Sequence, residues 1–299
     1  MAAAPTSVGI VGLGNMGGRI ARRIVAAGHE VAGFDTDPGR AAAVGVRTAP
    51  TLADLVGASD VLLLSLPDST VVESVVLGKG GILKHGRTGQ VVVDLSTSSP
   101  SSTVELHRRL AEKGIELVDA GISGGAAAAE AGTLTIMAGG SEAALEALRP
   151  LLAAFSGRVH YLGASGAGHT AKLLNNFLNG ISLAATAEVM VAARAAGLDL
   201  RTFLDVLNNS SGVNFATLNR FPHIVEGDYL EGGLTGRLML KDLRLFVELV
   251  ESLGTPTLTA EGCIAAFELA ERLGYGDQIS NRVVDALGDL AGGVRLQTP

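Results

Sequence analysis

Ser7-Val8-Gly9-Ile10-Val11-Gly12-Leu13-Gly14-Asn15-Met16-Gly17 is the stretch from which the rest of the chain can be read. Ser7 to Gly12 is a short apolar run of strand character, and an amphipathic helical pattern follows from Asn15 to Ala27. The G-x-G-x-x-G spacing is a weak signal by itself in a chain with 40 glycines. Its setting strengthens it: a strand precedes it, a helix follows, and the next strand, Glu30–Asp35, ends in an acid. Gly12 permits a tight turn, Gly14 lets backbone approach a pyrophosphate, and Gly17 allows close packing of helix on strand. Leu13, Asn15 and Met16 complete a turn whose helix end offers N–H groups and a positive dipole to phosphates. Asp35 is placed to accept hydrogen bonds from an adenosine ribose and to repel a 2'-phosphate. Thr36, Asp37 and Pro38 follow it with no arginine, so the expected cofactor is NAD, with NADP less favoured.

Further short apolar runs read as strands at Val61–Leu66, Gln90–Leu95, Glu116–Asp119, Leu134–Met137 and Val159–Leu162. Helical patterns lie between most of them, as at Thr103–Lys113 and Ser141–Phe155. That alternation implies an α/β fold, a Rossmann-type doubly wound and mainly parallel sheet. After Gly166 the strand signal ends, and helices are expected at 168–196, 200–208, 238–253, 258–272 and 278–289. Asp199 and Asp277 are candidate N-caps. Leu240, Leu243, Val247, Val250 and Leu253 form a core stripe at helical spacing. The expected division is 1–165, a dinucleotide-binding domain, and 166–299, an all-α domain for substrate and dimerisation that begins with a long helix.

The 299 residues are 47% hydrophobic and 18% charged, with a net charge of -7. This suits a sizeable core and leaves no basic footprint for nucleic acid. Absent tryptophan and few aromatics also leave no base-stacking platform. The single cysteine, Cys263, cannot form an internal disulfide, which favours a reducing compartment. Met1–Thr6 lacks the features of a signal peptide, and no unbroken apolar run reaches the length of a membrane span. A cytoplasmic protein without a membrane partner is expected. The six histidines show no metal-ligand spacing, so no metal is expected.

Gly166-Ala167-Gly168-His169-Thr170-Ala171-Lys172-Leu173-Leu174-Asn175-Asn176 opens the long helix. Lys172, Asn175 and Asn176 share a helical face, and a cation beside two amides can grip and protonate an oxygen. The apolar flanks point to a buried polar cluster, which must be satisfied or used.

With these pieces in place, the chain resembles the beta-hydroxyacid dehydrogenase family, which includes 3-hydroxyisobutyrate dehydrogenase and tartronate semialdehyde reductase. The resemblance runs nearly end to end. Gly12-Leu13-Gly14-Asn15-Met16-Gly17 matches G-L-G-x-M-G, and Leu66-Pro67-Asp68 matches the L-P segment along the cofactor. Asp94-Leu95-Ser96-Thr97 matches D-x-S-T near the nicotinamide ribose. Asp119-Ala120-Gly121-Ile122-Ser123-Gly124-Gly125 matches the substrate carboxylate loop D-A-P-V-S-G-G. The stretch from Gly166 to Asn176 matches the catalytic G-x-G-x-x-x-K-x-x-N-N, and Lys241-Asp242-Leu243 matches the later K-D-L. The family's Pro-Val is Gly121-Ile122 here, which should loosen the turn ahead of Ser123. Arg23 replaces an asparagine, and Leu234 replaces a large apolar residue that is often phenylalanine.

The resemblance implies NAD-dependent hydride transfer to and from a small 3-hydroxy acid resembling 3-hydroxyisobutyrate. Lys172 would be the acid/base and Asn176 its positioning partner. Ser123, Gly124, Gly125 and Asn175 would bind substrate, since a hydroxyl and unobstructed glycine N–H groups suit a carboxylate or a sulfonate. Leu66, Pro67, Thr97 and Lys241 would join the glycine turn and Asp35 in binding the cofactor. Ile122, Phe177, Leu234 and the loop 209–223 would line the substrate's side group. The family is usually a homodimer or homotetramer. Two rival readings are an NADPH-dependent imine reductase, opposed by Lys172 and Asp35, and a non-catalytic dinucleotide-binding relative, opposed by Lys172.

Overall fold

Runs of Val, Ile and Leu too short for helices, bounded by glycine, serine or an acid, become the central strands of one eight-stranded sheet. In the computed structural model, which describes residues 7–297, the eight strands are β1 (Ser7–Val11), β2 (Glu30–Phe34), β3 (Arg47–Thr48), β4 (Val61–Leu64), β5 (Val91–Asp94), β6 (Glu116–Ser123), β7 (Leu134–Gly139) and β8 (Ser156–Tyr161). The reading of Met1–Thr6 as something other than a signal peptide lies outside the described residues. The sheet order is β3-β2-β1-β4-β5-β6-β7-β8. All neighbours are parallel except β6 and β7. Alternate residues serve opposite faces. Leu63 packs into a core with Ile20 and Ile24, while Leu62 and Leu64 join Leu55 and Leu106 on the other side. This is the expected doubly wound sheet covered on both faces.

The chain runs outward through β1, β2 and β3, then returns to β4 on the other side of β1. A crevice opens at such a reversal, at the carboxyl ends of the strands. The segments that follow β1, β2, β4, β5 and β6 hold the glycine turn, Asp35, Leu66–Pro67, Thr97 and Gly124–Gly125.

Some elements depart from the expectations. β3 consists of two exposed polar-type residues and has no apolar period to reveal it. β6 continues to Ser123 and β7 to Gly139 because they pair with each other, from Asp119 opposite Gly139 to Ser123 opposite Thr135. Gly121 therefore sits inside a strand opposite Met137 and does not loosen a turn.

The compact units divide between Lys172 and Leu173, inside the helix Ala167–Ala195. The second unit is helical, with Leu200–Asn208, Gly236–Ser252, Ala260–Arg272 and Val283–Leu290. Two short helices, Phe215–Asn219 and Phe221–Ile224, were not evident from periodicity. Asp199 caps its helix, accepting from Thr202 N at 2.8 Å. Asp277 does not cap the last helix: its Oδ1 accepts from Arg237 Nε at 2.9 Å, and a 3-10 turn, Ser280–Arg282, intervenes. Leu240, Leu243 and Val250 are buried as expected, but Leu253 is the C-cap of its helix and 62% exposed.

The helix Ala167–Ala195 corrects the membrane reading. It is long enough, and its mean hydropathy over 18 residues reaches 1.2, which meets the length and composition of a bilayer span. An average tolerates Asn179 and Glu188 where an unbroken run does not. Half of that window is buried, and Leu183, Ala187 and Met190 pack in the second unit's core.

Candidate active site

The turn after β1 needs two of its glycines for space. Gly12 has φ +88°, and a Cβ on it would lie 2.3 Å from Ser65 O. A Cβ on Gly17 would lie 2.0 Å from Gly12 O. Gly14 is different, because a Cβ there would meet only the tip of Arg40, at 3.1 Å. The helix Asn15–Ala26 follows with no side chain capping it. Leu13 N donates to Asp35 Oδ2 at 2.7 Å, and Asp37 N donates to Asp35 Oδ1 at 2.9 Å. Arg40 Nη1 stands 3.7 Å from Asp35 Oδ2, and its Nε 3.4 Å from Asp37 Oδ2. Arg40 lies beyond Thr36-Asp37-Pro38, where sequence adjacency to Asp35 gives no sign of it, and a short helix, Arg40–Val44, brings it back to the acid. A cavity of about 290 Å³ is lined by Leu13, Gly14, Asn15, Arg19, Arg22 and Arg40. An uncapped helix end, an open glycine and nearby guanidiniums fit the diphosphate of a dinucleotide. Met16 is partly buried against the core.

Beyond β4 and β5, Leu66 N donates to Ser96 Oγ at 3.0 Å. Asp94, 2% exposed, accepts from Ser96 N at 3.0 Å and Ser98 Oγ at 3.0 Å. These bonds bracket Thr97, which is half-buried, while Pro67 is exposed.

The helix that carries Lys172 is anchored by Asp119, a fully buried acid on β6. Its Oδ1 accepts from Gly166 N and its Oδ2 from His169 N, each at 2.9 Å. Glycines make the approach possible: a Cβ on Gly168 would lie 2.5 Å from Asp119 O and Met137 O. Sequence reasoning carried Asp119 only as a motif letter. An acid inside an otherwise apolar strand was the available signal. Lys172 is half-buried, and a Cβ on Gly121 would lie 2.6 Å from its Cβ. Gly121 and Ser123 share a face of β6, so Lys172 stands against the strand that ends in Ser123. Gly124 and Gly125 follow at φ +125° and +69°, values that favour glycine, and both are exposed. Ile122 faces the other way, opposite Ile136, into the sheet core, and is not the expected pocket wall. Arg23 serves structure: its Nε donates to Ala154 O at 3.1 Å.

In the second unit, Asn176 is buried and its Nδ2 donates to Asp242 Oδ2 at 2.6 Å. Lys241 Nζ stands 2.9 Å from Asp242 Oδ1. Asn175 is exposed, as are Leu174 and Leu178, so the polar cluster forms around Asn176 alone of the two asparagines. Asn175 Nδ2 donates to Asn176 Oδ1 at 3.2 Å. Phe177 stacks on Phe246 with centroids 3.9 Å apart. Among the described residues, no group of three or more His, Cys, Asp or Glu is arranged to hold a metal ion.

Comparison with known proteins places the chain in a family. Residues 7–163 match the NAD binding domain of 6-phosphogluconate dehydrogenase. Residues 166–287 match the NAD-binding family of NADP-dependent 3-hydroxyisobutyrate dehydrogenase. The chain is 35% identical to 2-(hydroxymethyl)glutarate dehydrogenase of Eubacterium barkeri, covering 95% of this chain and 96% of the relative. It is 34% identical to NAD-dependent L-serine dehydrogenase of Pseudomonas aeruginosa, covering 91% and 94%. The structure of Mycobacterium tuberculosis 3-hydroxyisobutyrate dehydrogenase with L-serine matches at a TM-score of 0.86 and 30% identity, covering 95% and 99%. The chain belongs to the beta-hydroxyacid dehydrogenase family and is an NAD(P)-dependent 3-hydroxyacid dehydrogenase acting on CH–OH donors.

Proposed function

We propose that the protein oxidises, reversibly and with NAD, the alcohol of a small 3-hydroxy acid resembling 3-hydroxyisobutyrate, with Lys172 as acid and base. The observation that carries this reading is the contact of the Lys172 stem with Gly121, on the strand that ends in Ser123. It packs the stem of Lys172 against the strand that leads to a hydroxyl and a glycine turn suited to a carboxylate, which supports one shared site. The compounds named for the relatives add support. Hydroxymethylglutarate, serine and 3-hydroxyisobutyrate each carry a hydroxymethyl group on the carbon that bears the carboxylate.

Ser123, Gly124 and Gly125 bind the substrate's carboxylate or sulfonate, and Asn175 completes the proposed substrate-binding set. Lys172 takes the alcohol proton at Nζ as the carbonyl forms and returns it in the reverse direction. Asn176, one turn on, orients Lys172. NAD, when bound, supplies the hydride acceptor. Gly12 to Met16, Asp35, Leu66, Pro67, Thr97 and Lys241 hold it. We also infer functional domains of 1–165 and 166–299, a homodimer or homotetramer, and a cytoplasmic location. Cys263 suits that location: it is a free thiol, and burial pushes it up to about 12.

Lys172→Ala tests the chemistry. It should lower kcat by roughly 10²- to 10⁴-fold, the range of general acid–base catalysis, while NADH affinity, read by titrating the reduced cofactor's own fluorescence, stays near the parent's. Near-normal turnover would remove Lys172 from the mechanism. Asp35→Ala tests the cofactor. The ratio of kcat/KM for NAD over NADP should fall by about 10-fold or more, equivalent to about 1.4 kcal/mol. An unchanged ratio would discredit Asp35 as the discriminating group.

A further inference from the structure

His169 sits one helical turn before Lys172 and is fully buried. Its Nδ1 is 2.7 Å from Thr103 Oγ1, on the helix Pro100–Ala111. Its Nε2 is 3.2 Å from the backbone oxygen of Asp94 and 3.8 Å from Asp94 Oδ2. Its backbone N–H is the donor held by Asp119. One residue thus meets the end of β5, the middle of β6 and a covering helix.

Proton counting shows which of these contacts is fixed. A carbonyl oxygen only accepts, so Nε2 carries a hydrogen and donates to Asp94. Thr103 has one hydroxyl proton and also lies 3.0 Å from Ser99 O. If that proton points to Nδ1, the imidazole is neutral; if it points to Ser99, Nδ1 must donate instead. The bond to Asp94 survives both arrangements. Asp94 in turn holds Ser96 and Ser98 on either side of Thr97, and Ser96 holds Leu66 N. The His169–Asp94 hydrogen bond therefore joins the segment bearing Leu66 and Thr97 to the turn bearing Lys172. Filling space alone would not require a polar ring bonded at both nitrogens.

We propose that His169 is a positioning residue: its Nε2–H bond to Asp94 keeps Lys172 in register with the cofactor loop Asp94–Ser98. This rests on Lys172 being the acid/base. The carboxylates that face His169 are those of Asp94 and Asp119, Lys172 follows on its own helix, and the helix Pro100–Ala111 presents the uncharged Thr103.

The test compares His169→Gln, His169→Asn and His169→Leu with the parent and Lys172→Ala, with L-serine and 3-hydroxyisobutyrate as substrates. Glutamine places its amide nitrogen where Nε2 sits and keeps the bond to Asp94. Asparagine reaches only the Nδ1 position and keeps the bond to Thr103. His169→Leu and His169→Asn should lower kcat by about 10- to 100-fold, as small misplacements of catalytic groups do. They should also displace the pH profile of kcat, with KM and NAD affinity little changed. His169→Gln should recover most of the parental kcat and its pH profile.

Two outcomes would overturn the proposal while Lys172→Ala is inactive. In one, His169→Asn keeps parental kcat and His169→Gln loses it, which makes Thr103 the contact that matters. In the other, kcat per folded molecule, judged by circular dichroism and Tm, is equal to the parent's in all three. Normal turnover by Lys172→Ala would instead overturn the underlying reading, and the proposal with it.

Discussion

Gly12-Leu13-Gly14 and Gly166-Ala167-Gly168 share a spacing, a positive φ at the first glycine (+88° and +90°) and a helix that starts within a few residues. They treat the helix end in opposite ways. At Gly166 the chain supplies its own anion: Asp119 accepts from Gly166 N and His169 N inside the core. At Gly14 no side chain caps the helix, and Asp35, the acid nearby, is occupied with Leu13 N and Asp37 N. One turn is an internal joint, and the other is the one we propose as a cradle for a ligand's phosphates. The glycines do not decide which. A carboxylate far away in sequence does.

Removing that carboxylate is the most damaging way to break the comparison. Asp119→Ala leaves two buried N–H donors without a partner, each worth about 1–3 kcal/mol. For a unit of this size a Tm decrease of roughly 10 °C is expected, together with a loss of kcat. Differential scanning calorimetry reads the first and initial rates the second. A parental Tm would mean that the helix end is not held by Asp119 and that the two turns are alike.

The same contrast explains what could be read from residues alone. The glycine turn, the acid ending β2 and the apolar strands are local patterns, and each recurs in the fold. Lys172, Asn175 and Asn176 were grouped by helical spacing, but which asparagine is buried depends on Asp242, on another helix. β3 carries no apolar period, and Asp277 resembles a cap until Arg237 claims its carboxylate. His169 looked ordinary among six histidines. Its partners lie on β5, β6 and the helix Pro100–Ala111, and no spacing rule spans such separations. Gly121 looked like a loosened turn because the pairing of β6 with β7 cannot be seen from either segment alone.

Adding one methyl group to each turn separates the two roles with intermediate effect. On Gly168 a Cβ meets backbone oxygens at 2.5 Å; on Gly14 it meets only the mobile end of Arg40 at 3.1 Å. Gly168→Ala should therefore lower stability by about 1–3 kcal/mol, the usual cost of overpacking. Gly14→Ala should keep the parental Tm but weaken NAD binding by roughly 10-fold, because the methyl intrudes where backbone must approach the diphosphate. A loss of Tm in Gly14→Ala with NAD affinity unchanged would make the first turn a structural joint as well.

Arg40→Ala sharpens the cradle's side of the comparison and should have the smallest effect. The guanidinium is 48% exposed and pairs loosely with both acids, at 3.7 Å from Asp35 and 3.4 Å from Asp37. An exposed pair of this kind contributes about 0–1 kcal/mol, so Tm should not move measurably. Its charge matters more to a ligand, since a cation beside Asp35 offsets part of that acid's repulsion of a 2'-phosphate. Removing it should raise the NAD-over-NADP ratio of kcat/KM by about threefold, the opposite direction from Asp35→Ala. The two effects should shrink as salt is added, because both act through partly solvated charges. A ratio that does not respond to Arg40→Ala would leave discrimination to Asp35 alone and reduce Arg40 to a brace for the loop at Asp37.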